Sequence, residues 1–122
     1  MAEPKILVVD DSPTELRLMV EPLIARGYRV ITATNGIEAL DMVARELPRL
    51  ILLDVLMPGK NGFQVCRQLK SDPATRDIKI IIVSSKNQDS DRFWGLKQGA
   101  DEYLAKPFND EALLSHVSAL LG

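Results

Sequence analysis

A chain of 122 residues makes a single domain that can bury its own core without disulfides or structural metal. Apolar residues are 46% and charged residues 26% of the chain, the composition of an ordinary globule rather than a disordered segment. Fifteen Lys and Arg stand against 17 Asp and Glu, a net charge of −2 with no basic stripe, which argues against nucleic acid as a direct partner. The lone Cys66 cannot form an internal disulfide, which fits a reducing compartment. Met1-Ala2-Glu3-Pro4 lacks an apolar h-region, and no apolar run approaches membrane-spanning length. The reading is a cytoplasmic one-domain protein with no membrane contact.

Residues 5–10 (KILVVD) form a β-branched run and the first predicted strand. Ser12-Pro13-Thr14-Glu15 then opens a helix: Ser12 suits the N-cap, Pro13 the first helical position, and Glu15 the return arm of a capping box. Leu16, Met19, Val20, Leu23 and Ile24 follow at helical spacing, and Pro22 should kink or shorten the last turn before Arg26-Gly27. Residues 28–33 read as a second strand. Asn35-Gly36-Ile37-Glu38 starts a second helix, which Pro48 stops. Residues 50–54 (LILLD) are apolar up to the terminal Asp54, as in a parallel strand buried on both faces, and Pro58-Gly59 follows as a loop.

Asn61-Gly62 turns into a third helix carrying Phe63, Cys66 and Leu69, broken at Asp72-Pro73. Residues 78–84 form the fourth strand, 89–99 the fourth helix, 101–104 a short fifth strand and 109–121 the last helix, capped by Asn109 with Asp110 and Glu111 in its first turn. Five strands alternating with five helices imply right-handed βαβ crossovers: a doubly wound α/β three-layer sandwich on a parallel five-stranded sheet.

In such a sheet the residues at the C-terminal strand ends meet at one edge, where ligands sit. Strand one delivers Asp10-Asp11, strand three Asp54, strand four Ser84-Ser85, and strand five is followed by Lys106-Pro107. Three carboxylates crowded together repel unless a cation intervenes, and a hard divalent ion, Mg²⁺ above all, suits an all-oxygen set. Lys106 adds a positive charge and Ser84 a hydroxyl. This set suits a centre that receives a phosphoryl group on a carboxylate, with Mg²⁺ and Lys106 neutralising its oxygens.

Asp-Asp after strand one, the Asp of DVLMPG, the strand-four Ser and Lys-Pro-Phe after strand five resemble the response-regulator receiver (CheY-like) family over the whole chain. The resemblance implies the flavodoxin-like strand order 2-1-3-4-5. It implies that Asp54 accepts phosphate from a phosphohistidine on a sensor histidine kinase or phosphotransfer protein. Asp11, Asp54 and the backbone carbonyl of Leu56 would ligate Mg²⁺, with Asp10 acting through water. Lys106 would contact the phosphoryl oxygens, Ser84 would move to bond them, and Tyr103 would be the switch aromatic that turns inward. Lys106-Pro107 resembles the family's cis peptide. With no output domain, phosphorylation would switch the face of helix four, strand five and helix five for binding a downstream protein, or draw phosphate from another regulator. Short stretches, Asn61-Gly62-Phe63-Gln64 and Phe93-Trp94-Gly95-Leu96, resemble regulators of twitching or chemotaxis-like motility.

Some positions depart from the family's common pattern. Ser84 keeps the hydroxyl of the more frequent Thr but loses its β-branch, and Ser85 stands where a smaller Ala is common. Leu56, two past the acceptor, and Lys86, two past Ser84, flank the line of attack of water, and apolar Leu56 gives that water no hydrogen bond.

Plainer readings stand beside these. A strand-end Asp is most often a cap, and Lys106 could be a solvated charge. Phe93-Trp94 read as core packing and edge cover, or as an aromatic pair that anchors a partner, Gly95 as close packing on the sheet, Tyr103 as half-exposed, Cys66 as a small core hydrophobe and His116 as a helix residue without a ligand role. An Asp-nucleophile phosphohydrolase would be expected to carry Asp-x-Asp after strand one and a cap insertion, and this chain has neither. A flavodoxin-type cofactor module needs a Ser/Thr/Gly-rich phosphate loop where Asp-Asp-Ser-Pro stands. A receiver that signals without phosphate would not need every acidic position filled.

Overall fold

The computed structural model describes residues 4–86 and 88–121; the leading Met1-Ala2-Glu3, read above as lacking an apolar segment, lies outside them. The elements run β1 (Lys5–Val9), α1 (Pro13–Ala25), β2 (Arg29–Ala33), α2 (Gly36–Glu46), β3 (Leu50–Asp54), α3 (Gly62–Ser71), β4 (Lys79–Ser84), α4 (Asp89–Lys97), β5 (Glu102–Ala105) and α5 (Asp110–Leu121). All neighbouring strands pair in parallel, in the order β2-β1-β3-β4-β5. The flavodoxin-like order implied by the family resemblance is therefore the observed one.

Alternation along the strands sorts the core into two layers. Leu7, Val9, Ile51, Leu53, Ile80 and Ile82 pack with Ala39 and Val43 of α2, with Val65, Cys66 and Leu69 of α3, and with Tyr103. Ile6, Val8, Leu50, Leu52, Ile81 and Val83 face the other way, onto Met19 and Leu23 of α1 and Leu113 and Val117 of α5. Every residue of β3 is buried, the reason its sequence reads as an unbroken apolar run.

Three helix ends refine the sequence reading. Asn35, Asn61 and Asn109 each accept an amide three residues on, from Glu38, Gln64 and Ala112, and Gln64 returns a bond to the Asn61 amide. The helix carrying Pro22 is not shortened: α1 runs through it to Ala25, and Arg26 closes the end on the Pro22 and Leu23 carbonyls. Pro22 leaves the Leu18 carbonyl without its helical donor, and Leu18 is an exposed residue of α1. At the end of α2, Leu47 rather than a glycine adopts the left-handed conformation, with φ 46°. Pro48 disfavours the right-handed helical conformation for its predecessor and forces the exit there.

Candidate functional site

The register of β1 on β3 pairs Val9 with Leu53, so the next residues, Asp10 and Asp54, emerge side by side at the C-terminal edge. Asp10 and Asp54 are buried and Asp11 is exposed. Each offers a carboxylate oxygen, and these oxygens lie within 4.8 Å of one another. Asp54 faces Val83 across β3 and β4, which sets Ser84 one residue further along the same edge. The Lys106 amide donates to the Ser84 carbonyl at 2.7 Å, pinning the segment after β5 to the end of β4. The Lys106–Pro107 peptide is cis, as the resemblance implies.

From that anchor the Lys106 ammonium reaches three carboxylates: Asp10 Oδ2 at 2.9 Å, Glu15 Oε1 at 3.2 Å and Asp54 Oδ1 at 3.5 Å. Burial opposes the charge on Lys106, but the Asp10 hydrogen bond and the surrounding anions outweigh it and hold the ammonium above the ordinary lysine range. Asp54 moves the other way. Burial first, then the Asp10 charge, push its carboxyl up to about 6, against the pull of Lys106.

Glu15 is the participant that the sequence places elsewhere. Ser12 Oγ accepts the Glu15 amide at 3.3 Å, as an N-cap should, but the Ser12 amide donates to Asp10 Oδ1 at 3.0 Å. The capping box therefore does not close: Asp10 occupies the return position and the Glu15 carboxylate turns to Lys106. Sequence spacing could not show this, because Lys106 lies 91 positions away (106 minus 15).

Gly62 is a second residue with a role the sequence read only as a turn. Its amide donates to the Val55 carbonyl at 3.1 Å. A Cβ there would overlap the Asp54 carbonyl oxygen and sit 2.9 Å from the Val55 Cα. Only glycine lets α3 begin this close to the backbone that carries Asp54.

The region around β4 and β5 corrects two expectations. Tyr103 is not half-exposed: it is 2% exposed, ring inward, its hydroxyl donating to the Lys86 carbonyl at 2.6 Å. The Lys86 amide in turn donates to Ser84 Oγ at 3.0 Å, so both faces of one peptide segment are held by the two residues the resemblance names as the switch. Gly95 makes the inward position possible, since a Cβ there would lie 2.8 Å from the Tyr103 ring, in keeping with the close-packing reading. Arg92 stacks over the same ring at 5.6 Å. Phe93 and Trp94 are not core residues; they are 65% and 49% exposed, because the face of α4 that packs on the sheet is the one carrying Gly95. Leu56, flanking the Asp54 loop, is exposed. Cys66 is fully buried, its thiol 3.6 Å from the Gln98 carbonyl and pushed by burial to about 12. His116 Nδ1 lies 3.1 Å from Glu102 Oε1, across α5 and β5.

The family model described as "Response regulator receiver domain" matches residues 6–118. The chain is a response regulator receiver domain. This receiver is 44% identical to Protein PilH of Pseudomonas aeruginosa, over 96% of its own length and 97% of that protein. It is 47% identical to the response regulator PleD of Caulobacter vibrioides, over 95% of its own length but only 26% of PleD. Among solved structures, the chemotaxis response regulator CheY4 of Vibrio cholerae superposes with a TM-score of 0.91 at 29% identity, covering 98% of the receiver and 99% of CheY4. A beryllofluoride-activated DrrB receiver domain gives 0.88 at 33%, covering 98% and 97%. Receiver domains work with histidine kinases or phosphotransfer donors in two-component signalling and are generally Mg²⁺-dependent, and this chain carries an acidic cluster of Asp10, Asp11 and Asp54. Among the described residues no helix is long and apolar enough to cross a membrane.

Proposed function

We propose that Asp54 is the phosphoacceptor and that the receiver acts as a phosphorylation switch in the cytoplasm. The observation that carries this reading is the meeting of three carboxylate oxygens with the Lys106 ammonium at one sheet edge. The oxygen set fits a hard divalent ion. Asp11, Asp54 and the Leu56 backbone carbonyl would hold Mg²⁺ directly, and Asp10 through a water. Bound there, Mg²⁺ supplies charge neutralisation at the phosphoryl oxygens.

The chain's own residues do the rest. An Asp54 carboxylate oxygen bonds to phosphorus as the donor's phosphorus–nitrogen bond breaks, and the electron pair leaves on the imidazole. Lys106 stabilises charge on the phosphoryl oxygens, and Ser84 gives up the Lys86 amide to donate its hydroxyl to one of them. Tyr103 already sits inward and holds Lys86 from the other side, so a displaced Ser84 changes a segment that leads directly into α4. The exposed Phe93, Trp94 and Leu96 of α4 support a protein-binding face made with β5 and α5. The receiver catalyses only its own phosphorylation and dephosphorylation, and its output is protein binding rather than contact with nucleic acid or membrane. Similarity to CheY4 and the short α3 and α4 stretches favour a motility-type pathway.

Intact mass after incubation with acetyl phosphate and Mg²⁺ tests the reading. One added phosphoryl group is expected, absent from Asp54→Asn and from a metal-free sample; if wild type gains none from acetyl phosphate or from a phosphohistidine donor, the reading fails. A phosphate sink would form the same adduct yet show no phosphorylation-dependent partner. Exposed, apolar Leu56 gives attacking water no hydrogen bond, so Leu56→Asn is expected to shorten the phosphoryl lifetime several-fold. An unchanged lifetime would remove Leu56 from the account.

A further inference from the structure

Lys106 is shared unequally. An ammonium has three protons to donate, and in this structure three carboxylates already face it, at 2.9 Å for Asp10, 3.2 Å for Glu15 and 3.5 Å for Asp54. The proposed acceptor is the most distant of the three. Glu15 is the odd member in another way. Its side chain is 39% exposed, against 2% for Asp10 and 9% for Asp54, and it stands on the first turn of α1 rather than at a strand end. Nothing in the capping of α1 requires its carboxylate, since Asp10 already holds the Ser12 amide. Glu15 and Lys106 both line a cleft of about 330 Å³ that Leu18, Met19, Pro107 and Phe108 also line.

A phosphoryl group on Asp54 brings three strong acceptor oxygens to the same ammonium. The phosphoryl oxygens then compete for the ammonium with the acceptors already on it. Asp10 cannot yield cheaply, because it is buried and would be left charged without its cation. Glu15 can turn out into water.

We propose that Glu15 is a positioning residue that competes with Asp54 for Lys106 in the unphosphorylated receiver, and gives way as the phosphoryl group is bound. The inference rests on Asp54 being the phosphoacceptor. Glu15 then sets how readily the pocket loads: its ion pair with Lys106 opposes phosphorylation by the modest amount that a partly exposed pair supplies. It touches no reacting atom.

The test is a double-mutant cycle between Glu15→Gln and Lys106→Met, read in two ways. The first is the rate constant of phosphorylation by subsaturating acetyl phosphate with Mg²⁺. The second is the affinity for beryllofluoride with Mg²⁺, a phosphoryl stand-in that needs no chemistry. Glu15→Gln keeps the shape of the side chain, and both quantities should rise about fivefold. In the Lys106→Met background the same change should do nothing; where phosphorylation there is too slow to time, the affinity arm gives that answer. An unchanged or lower rate and affinity in Glu15→Gln would overturn the inference. So would an equal gain in both backgrounds, which would make Glu15 only a charge that repels anionic donors. In either case wild type still loads. A wild type that takes neither phosphate nor beryllofluoride would instead remove the reading of Asp54 and the inference with it.

Discussion

Two lysines in this receiver each gather several acceptors, and they are built for opposite ends. Lys70 on α3 bonds the Arg76 and Ile78 carbonyls at 3.1 and 2.8 Å and Asp101 at 2.9 Å, while Asp101 also accepts the Ile80 amide at 2.8 Å. One cation meets one anion and the rest are neutral carbonyls. Lys106 meets three carboxylates, with a fourth, Asp11, alongside. The first cluster is balanced and ties α3 to the start of β4 and to the turn before β5. The second carries excess negative charge that the fold does not relieve, and burial makes that excess expensive. An ion pair alone therefore says little about function. An uncompensated charge does.

The contrast can be broken from both sides. Lys106→Met should cost about 3 kcal/mol in metal-free buffer at pH 8, because it strips the nearest cation from buried carboxylates. Urea titration should show that cost shrinking when Mg²⁺ is added, and again as pH falls through about 6 and Asp54 takes up its proton. Lys70→Met should cost about 2 kcal/mol by the loss of a satisfied network, with no response to Mg²⁺. A Mg²⁺ response of equal size in both variants would erase the distinction.

Asp54→Asn sharpens it from the carboxylate side. Burial and Asp10 hold the Asp54 carboxyl at about 6, above its ordinary 3.8. The native state therefore binds this proton more tightly than the unfolded chain, and the stability it adds below pH 4 is lost as pH rises through about 6. Without metal, Asp54→Asn should stabilise the fold at pH 7 by up to about 2 kcal/mol, and the gain should vanish towards pH 4. A pH-independent gain would mean that the carboxylate is not penalised as described. The smallest effect is expected where no charge is involved. Gly95→Ala gains helix propensity but drives a methyl into the Tyr103 ring, for a net loss of about 1 kcal/mol measured by thermal melting.

Much of this was readable from the chain itself. β-Branched and continuous apolar runs mark the strands, Asn35, Asn61 and Asn109 mark their helices, and the strand-end residues supply the acidic cluster and Lys106. What failed shares a cause. The environment of Phe93 and Trp94 is not legible because α4 is short and carries little helical periodicity to say which face turns inward, and the burial of Tyr103 depends on the space that Gly95 leaves for its ring. Glu15 reads as the arm of a capping box because Ser12 is the only partner that local spacing offers it.

The residue types that meet at the sheet edge, and the parallel sheet that makes them meet, followed from the sequence alone: hydrophobic periodicity fixes which residues end each strand, and right-handed crossovers bring those ends to one side. Which partner each charged or aromatic side chain takes was decided only in three dimensions. Asp10 takes Glu15's place at the cap, Lys106 takes up the Glu15 carboxylate, and Gly95 leaves room for Tyr103. Such choices are competitions among groups far apart in the chain, settled by distance and burial, and no local pattern records their outcome.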